Sequence, residues 1–245
     1  MDINQANRQC CDLDIRDYVT NKPWMFADFC NTTTAGFSSD PVYALKKGAR
    51  NIKFDNPLDG TVSCTFQVHP FRIYSLYSDG TIEDTATIPV RKTIAATAEG
   101  EIAVTDTPVP GTVFVYNERD IGGEVIDGTF ASGKFTATQN GDIAVGSKYE
   151  ICYLTTKTTG KGSTVRKISF NDSKVPKNYR ITMETLDKDE NGEFIPVLIT
   201  AYKACPQRSM DLSFSSTGDP AEITITFDAL KDDEGNVLDI VEILE

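Results

Sequence analysis

The chain has 245 residues, 40% of them hydrophobic, and a formal net charge of −12 from 36 acidic and 24 basic side chains. That apolar share is enough for a core, and at roughly 150 residues per domain the length suggests one or two domains. No run of about 18 apolar residues is present, so no membrane-spanning helix is expected; an acidic chain without a basic stripe is not expected to hold nucleic acid by its phosphates.

In chain order, strand signals dominate. Two β-like runs, 9–19 and 23–29, flank the turn Asn21-Lys22-Pro23. Asn51–Phe54 and Thr61–Val68 flank "DNPLDG", a turn cluster that predicts a second hairpin. The period then changes. In "HPFRIYSLYSDG", Phe71, Tyr74 and Leu76/Tyr77 lie near helical spacing, with Pro70 in the first turn and Gly80 as a stop. This predicts one short helix.

From Thr93 the composition shifts to Thr, Ala, Gly and acids. Short strands are expected at "EIAVTD", "GTVFVYN", "GKFTAT" and "KYEICYLTT", punctuated by Gly111, Gly122-Gly123, Gly133, Gly141 and Gly146. Residues 93–155 read as a small β-rich unit inserted in a larger β domain made of 1–92 and 156–245. "KTTGKGS" (157–163) reads as its exit loop or as a flexible hairpin tip. A second, weaker helix is suggested near "SKVPKNY". Strands follow at 165–170, 179–186 and 194–204, the last two joined by "LDKDENGE". From Ser209 to Leu230 the chain alternates by face, turns at Thr217-Gly218-Asp219-Pro220 and alternates again. Met210, Leu212 and Phe214 share one face of this expected hairpin, with Ile223, Ile225 and Phe227 on the return. "NVLDIVEIL" fits either a last helix or a final strand. No repeat of fixed period is present.

The charge is uneven. Residues 93–154 hold nine acids and three bases, residues 228–245 hold seven acids and only Lys231, and the rest sums to about zero. Acidic surface favours solubility. It also suits a wall that nucleic acid must pass without being held. "MDINQANRQCCDLD" has no basic n-region or apolar h-region, so no secretory signal is expected. The six cysteines are then expected as reduced thiols in a cytoplasm.

The constellations that carry chemistry mostly fail on spacing. His69 is the single histidine, beside Pro70, and reads as a local structural residue. Cys10 and Cys11 are adjacent and no C-x-x-C pair occurs, which argues against a zinc or thioredoxin motif. "DKDENG" (187–192) starts like a calcium loop, but its twelfth position is Leu198 rather than a clamping Glu, so a tight Asn-Gly turn fits better. "TTGKGST" (158–164) lacks the phosphate-loop spacing. Asn31 heads a glycosylation triplet that has no meaning without secretion. Trp24 follows Lys22-Pro23 in a strand-like run and reads as core. No catalytic, cofactor-binding or metal-ligating set emerges, and the chain reads as a non-enzyme with no cofactor.

Two stretches, "PWMFADFCNTTTAGFSSDPVYALKKGARNIKFDNPLDGTVSCTFQVHPFRIYSLYSDG" (23–80) and "NYRITMETLDKDENGEFIPVLITAYKACPQRSMDLSFSSTGDPAEITITFDALKDDEGN" (178–236), together resemble the tail tube (major tail) proteins of tailed bacteriophages. The resemblance covers about half of the chain, and the 93–155 insert departs from the minimal tube protein. It implies a mainly β protomer, a sandwich or barrel with one short helix. Six protomers would form a ring whose inner sheets merge into one barrel, and rings would stack into a hollow tube in the virion tail, built in the host bacterial cytoplasm. The tube would hold a tape measure protein, then conduct DNA without binding it, inside a sheath where the tail contracts. The resemblance also extends to the tube protein of type VI secretion. Segments 1–22, Ala35–Arg50 and the acidic C-terminus are candidates for arms that order on assembly. The alternative is a phage β-sandwich decoration module for a host surface or carbohydrate, for which Tyr116 and Phe130 would be the contact aromatics.

Overall fold

A computed structural model describes residues 4–160 and 164–244. The chain divides into two compact units, one made of 1–81 with 168–245 and the other of 82–167. The second unit is wider than the 93–155 stretch marked by composition, because a strand at 85–95 belongs to it.

In chain order the first unit begins with β1 (Gln5–Ala6), β2 (Asp12–Asp17), β3 (Pro23–Ala27), β4 (Thr32–Ser38), β5 (Val42–Lys46), β6 (Ala49–Phe54) and β7 (Asp59–Phe66). The second unit holds β8 (Thr85–Ala95), β9 (Glu101–Ala103), β10 (Phe114–Asn117), β11 (Gly128–Ala131), β12 (Lys134–Ala137) and β13 (Lys148–Thr158). The first unit resumes with β14 (Tyr179–Asp189), β15 (Phe194–Pro206), β16 (Ile223–Leu230) and β17 (Leu238–Glu242). The protein is mainly β.

Among the described residues, the first unit is built on a nine-stranded antiparallel sheet in the order β3-β2-β14-β15-β16-β7-β4, with β1 on β14 and β17 on β15. Period-two alternation explains which face is buried. Leu13 and Ile15 of β2, Val62, Cys64 and Phe66 of β7, Tyr179, Ile181 and Met183 of β14, and Ile223, Ile225 and Phe227 of β16 all point to one core. Each large side chain so buried contributes about 1.5–3 kcal/mol. The sheet curls until its ends approach: the Cys11 amide donates to Thr33 Oγ1 of β4 at 3.0 Å, and Phe29 meets Phe66 edge-on at 5.6 Å. A curled, barrel-like β unit is what the resemblance implies.

The expected helix is a 3₁₀ helix, Phe71–Tyr77, entered through Pro70 and left through Gly80 at φ +79°. Ile73, Leu76 and Tyr77 bury into the core, and the Tyr77 hydroxyl donates to the Thr224 carbonyl at 2.9 Å. Its i→i+3 bonds, Ile73 N to Pro70 O and Ser78 N to Ser75 O, define the tighter winding.

Several local expectations are corrected. The Ser209–Leu230 hairpin does not form. Its return arm is β16, but β16 pairs along its length with β7, and Cys205 and Pro206 of β15 take its other edge near Asp228 and Phe227. The 209–214 arm is left unpaired, and Phe214 lies 84% exposed. The hairpin predicted around "DNPLDG" is also displaced. β6 pairs back on β5 through Lys47-Gly48, and β7 pairs with β4, so "DNPLDG" is a kink in a long ribbon. "SKVPKNY" is not helical. Asn171 Oδ1 takes the Ser173 and Lys174 amides, and Pro176 keeps Val175 out of helical geometry. Residues 165–170 give one isolated bridge, Glu83 to Lys167, and no strand. "NVLDIVEIL" resolves as strand β17. The end of the predicted 157–163 loop lies outside the described residues.

The second unit packs two antiparallel three-stranded sheets, β10-β13-β8 and β11-β12-β9. They share a core of Ile102, Val115, Phe135, Ile143, Ile151 and neighbours. β8 pairs with β13 over its whole length. It tolerates Pro89 because it is an edge strand.

Candidate assembly surfaces

Three features of the first unit are available to a partner. The first is the outer face of the sheet. Cross-strand register lines up Thr32, Thr65 and Thr224 in one row and Thr34, Ser63 and Thr226 in the next, then Thr61 beside Asp228. The Thr65 and Thr224 hydroxyls bond at 2.7 Å. Further round the same face, Asp14 stands beside Thr182 and Asp12 beside Glu184, with Arg16 and Arg180 paired next to them. Arg16 is held by Asp14 at 2.6 Å. The face is a field of short hydroxyls with acids and two arginines.

The second feature is edge. Among the described residues no strand pairs the outer edge of β3, β4 or β17. Unpaired ladders of N–H and C=O are templates for another chain.

The third is the β5–β6 ribbon. Val42 lies opposite Phe54, Ala44 opposite Ile52 and Tyr43 opposite Lys53, with a register shift before Leu45 and Arg50. One face is thus Val42, Ala44, Ile52 and Phe54, and every residue of β6 is exposed. The ribbon carries Lys46, Lys47, Arg50 and Lys53 and no acid from Val42 to Phe54. Arg50 stacks over Tyr43 at 4.5 Å and Lys53 pairs with Asp55. Ser39 and Asn56 pin its base by bonds across the kink, Ser39 Oγ to Asn56 O and Asn56 Nδ2 to Asp40 O, both 2.7 Å. The expectation of a chain without a basic stripe is corrected here: Lys46, Lys47, Arg50 and Lys53 lie within eight residues, and the β5–β6 pairing sets them on one exposed ribbon.

The residues singled out in the sequence fall into structural roles. His69 Nε2 bonds the Tyr74 hydroxyl at 2.7 Å, and its ring packs on Phe66. Trp24 is half-buried, edge-on to Tyr179 at 5.5 Å, with Arg72 over its ring. In "DKDENG", Asp189 accepts from the Glu193 amide at 2.7 Å and Gly192 takes φ +91°, as a tight turn requires. Among the described residues the cysteines are free thiols. Cys64 and burial push the Cys30 thiol up, and burial pushes up Cys11, so neither is an activated nucleophile. In the second unit Phe130 packs on the core, while Tyr116 lines an open hollow of about 380 Å³ with Phe114, Ile121 and Leu154.

Of the three expected arms, two are built into the sheet. Within 1–22, of which residues 1–3 lie outside the described residues, β2 is a core strand with Leu13 and Ile15 buried. The acidic C-terminus ends in β17, paired to β15. Only the Ala35–Arg50 region leads into free-standing structure.

The family model of the YomU/Tube protein family matches residues 80–243. The chain belongs to the YomU/Tube protein family. The matched range takes in the whole 82–167 unit and β14 to β17. The acidic, glycine-rich stretch thus lies inside the family's range and is not foreign to it. Of the two stretches that resemble tail tube proteins, 178–236 falls within the match and 23–80 ahead of it. No curated protein matches the chain.

Proposed function

We propose that this protein is the tail tube protein of a tailed bacteriophage. Copies close into six-membered rings that stack into a hollow tube, and the tube conducts DNA at ejection. Membership of the YomU/Tube family supports a tube-forming role. The observation that carries the reading is a curled sheet with unpaired end strands in such a chain. Ring closure would join those edges between neighbours and remove an aggregation liability.

The bore would be the Thr/Ser/acid face. Its carboxylates repel phosphates within about 8–10 Å at physiological salt, its short hydroxyls offer only neutral hydrogen bonds, and its two arginines are engaged, Arg16 with Asp14 and Arg180 over the Tyr202 ring. The mechanism is passive: a non-adhesive surface lets a tape measure protein leave and DNA slide. A sheath would bear on the outside if the tail contracts. The protein would work in the virion after assembly in the host cytoplasm, with no catalytic step and no cofactor.

Negative-stain microscopy of the concentrated protein tests this. Six-fold rings or hollow tubes are expected. A chain that stays monomeric at every concentration overturns the reading, and glycan binding by that monomer would favour a decoration module using the Tyr116 hollow. Hydrogen exchange adds a second check: the β5–β6 ribbon should gain protection on assembly, whereas β2 should already be protected in the monomer.

A further inference from the structure

We infer that the β5–β6 ribbon of one copy docks on the β17 edge of a second copy, with its basic tip against the acidic turn that precedes β17. The inference rests on the self-assembly proposed above and names the contact that drives it.

Both surfaces are unfinished in the same way and opposite in charge. A two-stranded ribbon is marginal in water unless something covers its apolar face. Here that face is Val42, Ile52 and Phe54, each more than half exposed. Among the described residues β5 and β6 pair only with each other. β17 is likewise open on one edge, and Ile240 shows the result. It sits opposite Ile199, whose neighbours Met183 and Ala201 face the core, yet Ile240 is 70% exposed. Nothing within the sheet lies beyond it to finish the row. Val241, on the other face of β17, is exposed as well, as are Ile243 and Leu244 beyond the strand.

The rims then match by sign. The ribbon tip presents Lys46, Lys47 and Arg50. The turn before β17 presents Asp233 and Glu234, both exposed. Asp232 is already committed to its own turn, accepting the Glu234 and Asn236 amides at 3.0 and 2.7 Å, which fixes the turn and leaves the next two carboxylates outward. Ribbon and edge are different patches of one chain. The contact is therefore head-to-tail, which closes rings or extends stacks and does not stop at a two-fold dimer.

Charge-reversed chains test this. The variants Lys46→Glu with Lys47→Glu, and Asp233→Lys with Glu234→Lys, change only exposed side chains, and circular dichroism verifies their fold. Each alone should raise the critical concentration for assembly at least about tenfold, since close interfacial charge pairs couple by more than one decade. An equimolar mixture should recover wild-type assembly, because each ribbon then meets an edge of opposite sign. Raising salt from about 0.05 M to about 0.5 M should weaken wild-type assembly severalfold. Folded variants that assemble like wild type, or a mixture that fails to recover, overturn the inference. So does a ribbon variant that loses binding to duplex DNA while assembling normally, and so does a wild type that never self-associates. If wild type forms solid filaments without a bore and the mixture still rescues, the tube reading fails and this contact stands. If tubes form and reversal has no effect, the reverse holds.

Discussion

Gly60 is a residue whose side chain is excluded by its neighbours. A Cβ there would lie 2.6 Å from Val237 Cγ1 and 3.0 Å from Ala229 Cβ. Val237 is buried and β-branched, so it has little freedom to retreat. Gly60→Ala should cost about 1–3 kcal/mol by overpacking, read as a lower urea midpoint. Two buried tyrosines make a sharper pair. Burial raises both hydroxyl pKa values, that of Tyr179 to about 12. Tyr77 donates to Thr224 O, whereas the Tyr179 hydroxyl has no protein partner among the described residues. Tyr77→Phe should therefore cost about 1 kcal/mol or more, while Tyr179→Phe should be close to neutral. Equal losses in denaturant titrations would contradict the distinction. His69 was legible as structural because it lacked partners at catalytic spacing, and Trp24 because it sits in a strand-like apolar run. Gly60 was not, since the residues that crowd it come from β16 and the turn before β17.

At the scale of elements, the second unit carries a pH-sensitive clasp. Asp106 accepts from Lys92 at 2.8 Å and from the Tyr153 hydroxyl at 2.5 Å. Lys92 first, then Tyr153, hold its carboxyl below the ordinary value of 3.8. A depressed acid adds stability above its unfolded pKa and loses it as pH falls through the folded value. Asp106→Asn should thus lower the stability of the second unit at neutral pH, and the gap from wild type should shrink below about pH 4. A constant gap from pH 7 to pH 3 would remove the ionic part of the clasp. Strand existence was legible wherever apolar residues alternated against a polar face, as in β2, β7, β14 and β16. Pairing was not. Alternation marks a strand but not its neighbour, and for that reason 209–214 was assigned to β16 and 51–54 to β7. β8 was missed for a related cause: Pro89 and its flanking basic residues weaken the alternation of an edge strand.

At the scale of the molecule, the proposed function turns on what identical copies would share. If the Thr/Ser/acid face lines a bore, its charge governs transit more than assembly. Asp14→Lys with Glu184→Lys on that face should leave tubes intact by microscopy but slow DNA ejection from reconstituted particles. Unchanged ejection kinetics would remove the electrostatic role. Loss of tubes would instead assign the face to protomer contacts. The ribbon contact inferred above predicts the opposite, with charge reversal at its tip changing association and not transit.

Composition, alternation and turn residues determined that this is a mainly β chain with an excess of acid and a short helix in "HPFRIYSLYSDG". These are local or additive properties, readable without knowing who neighbours whom. The tertiary structure alone decided which strands pair and which edges stay open. It also decided that the basic 46–53 stretch would lie on a free ribbon instead of joining the main sheet. Those outcomes depend on contacts between residues far apart in the chain, where several pairings satisfy the same alternation and only the packing of one common core selects among them.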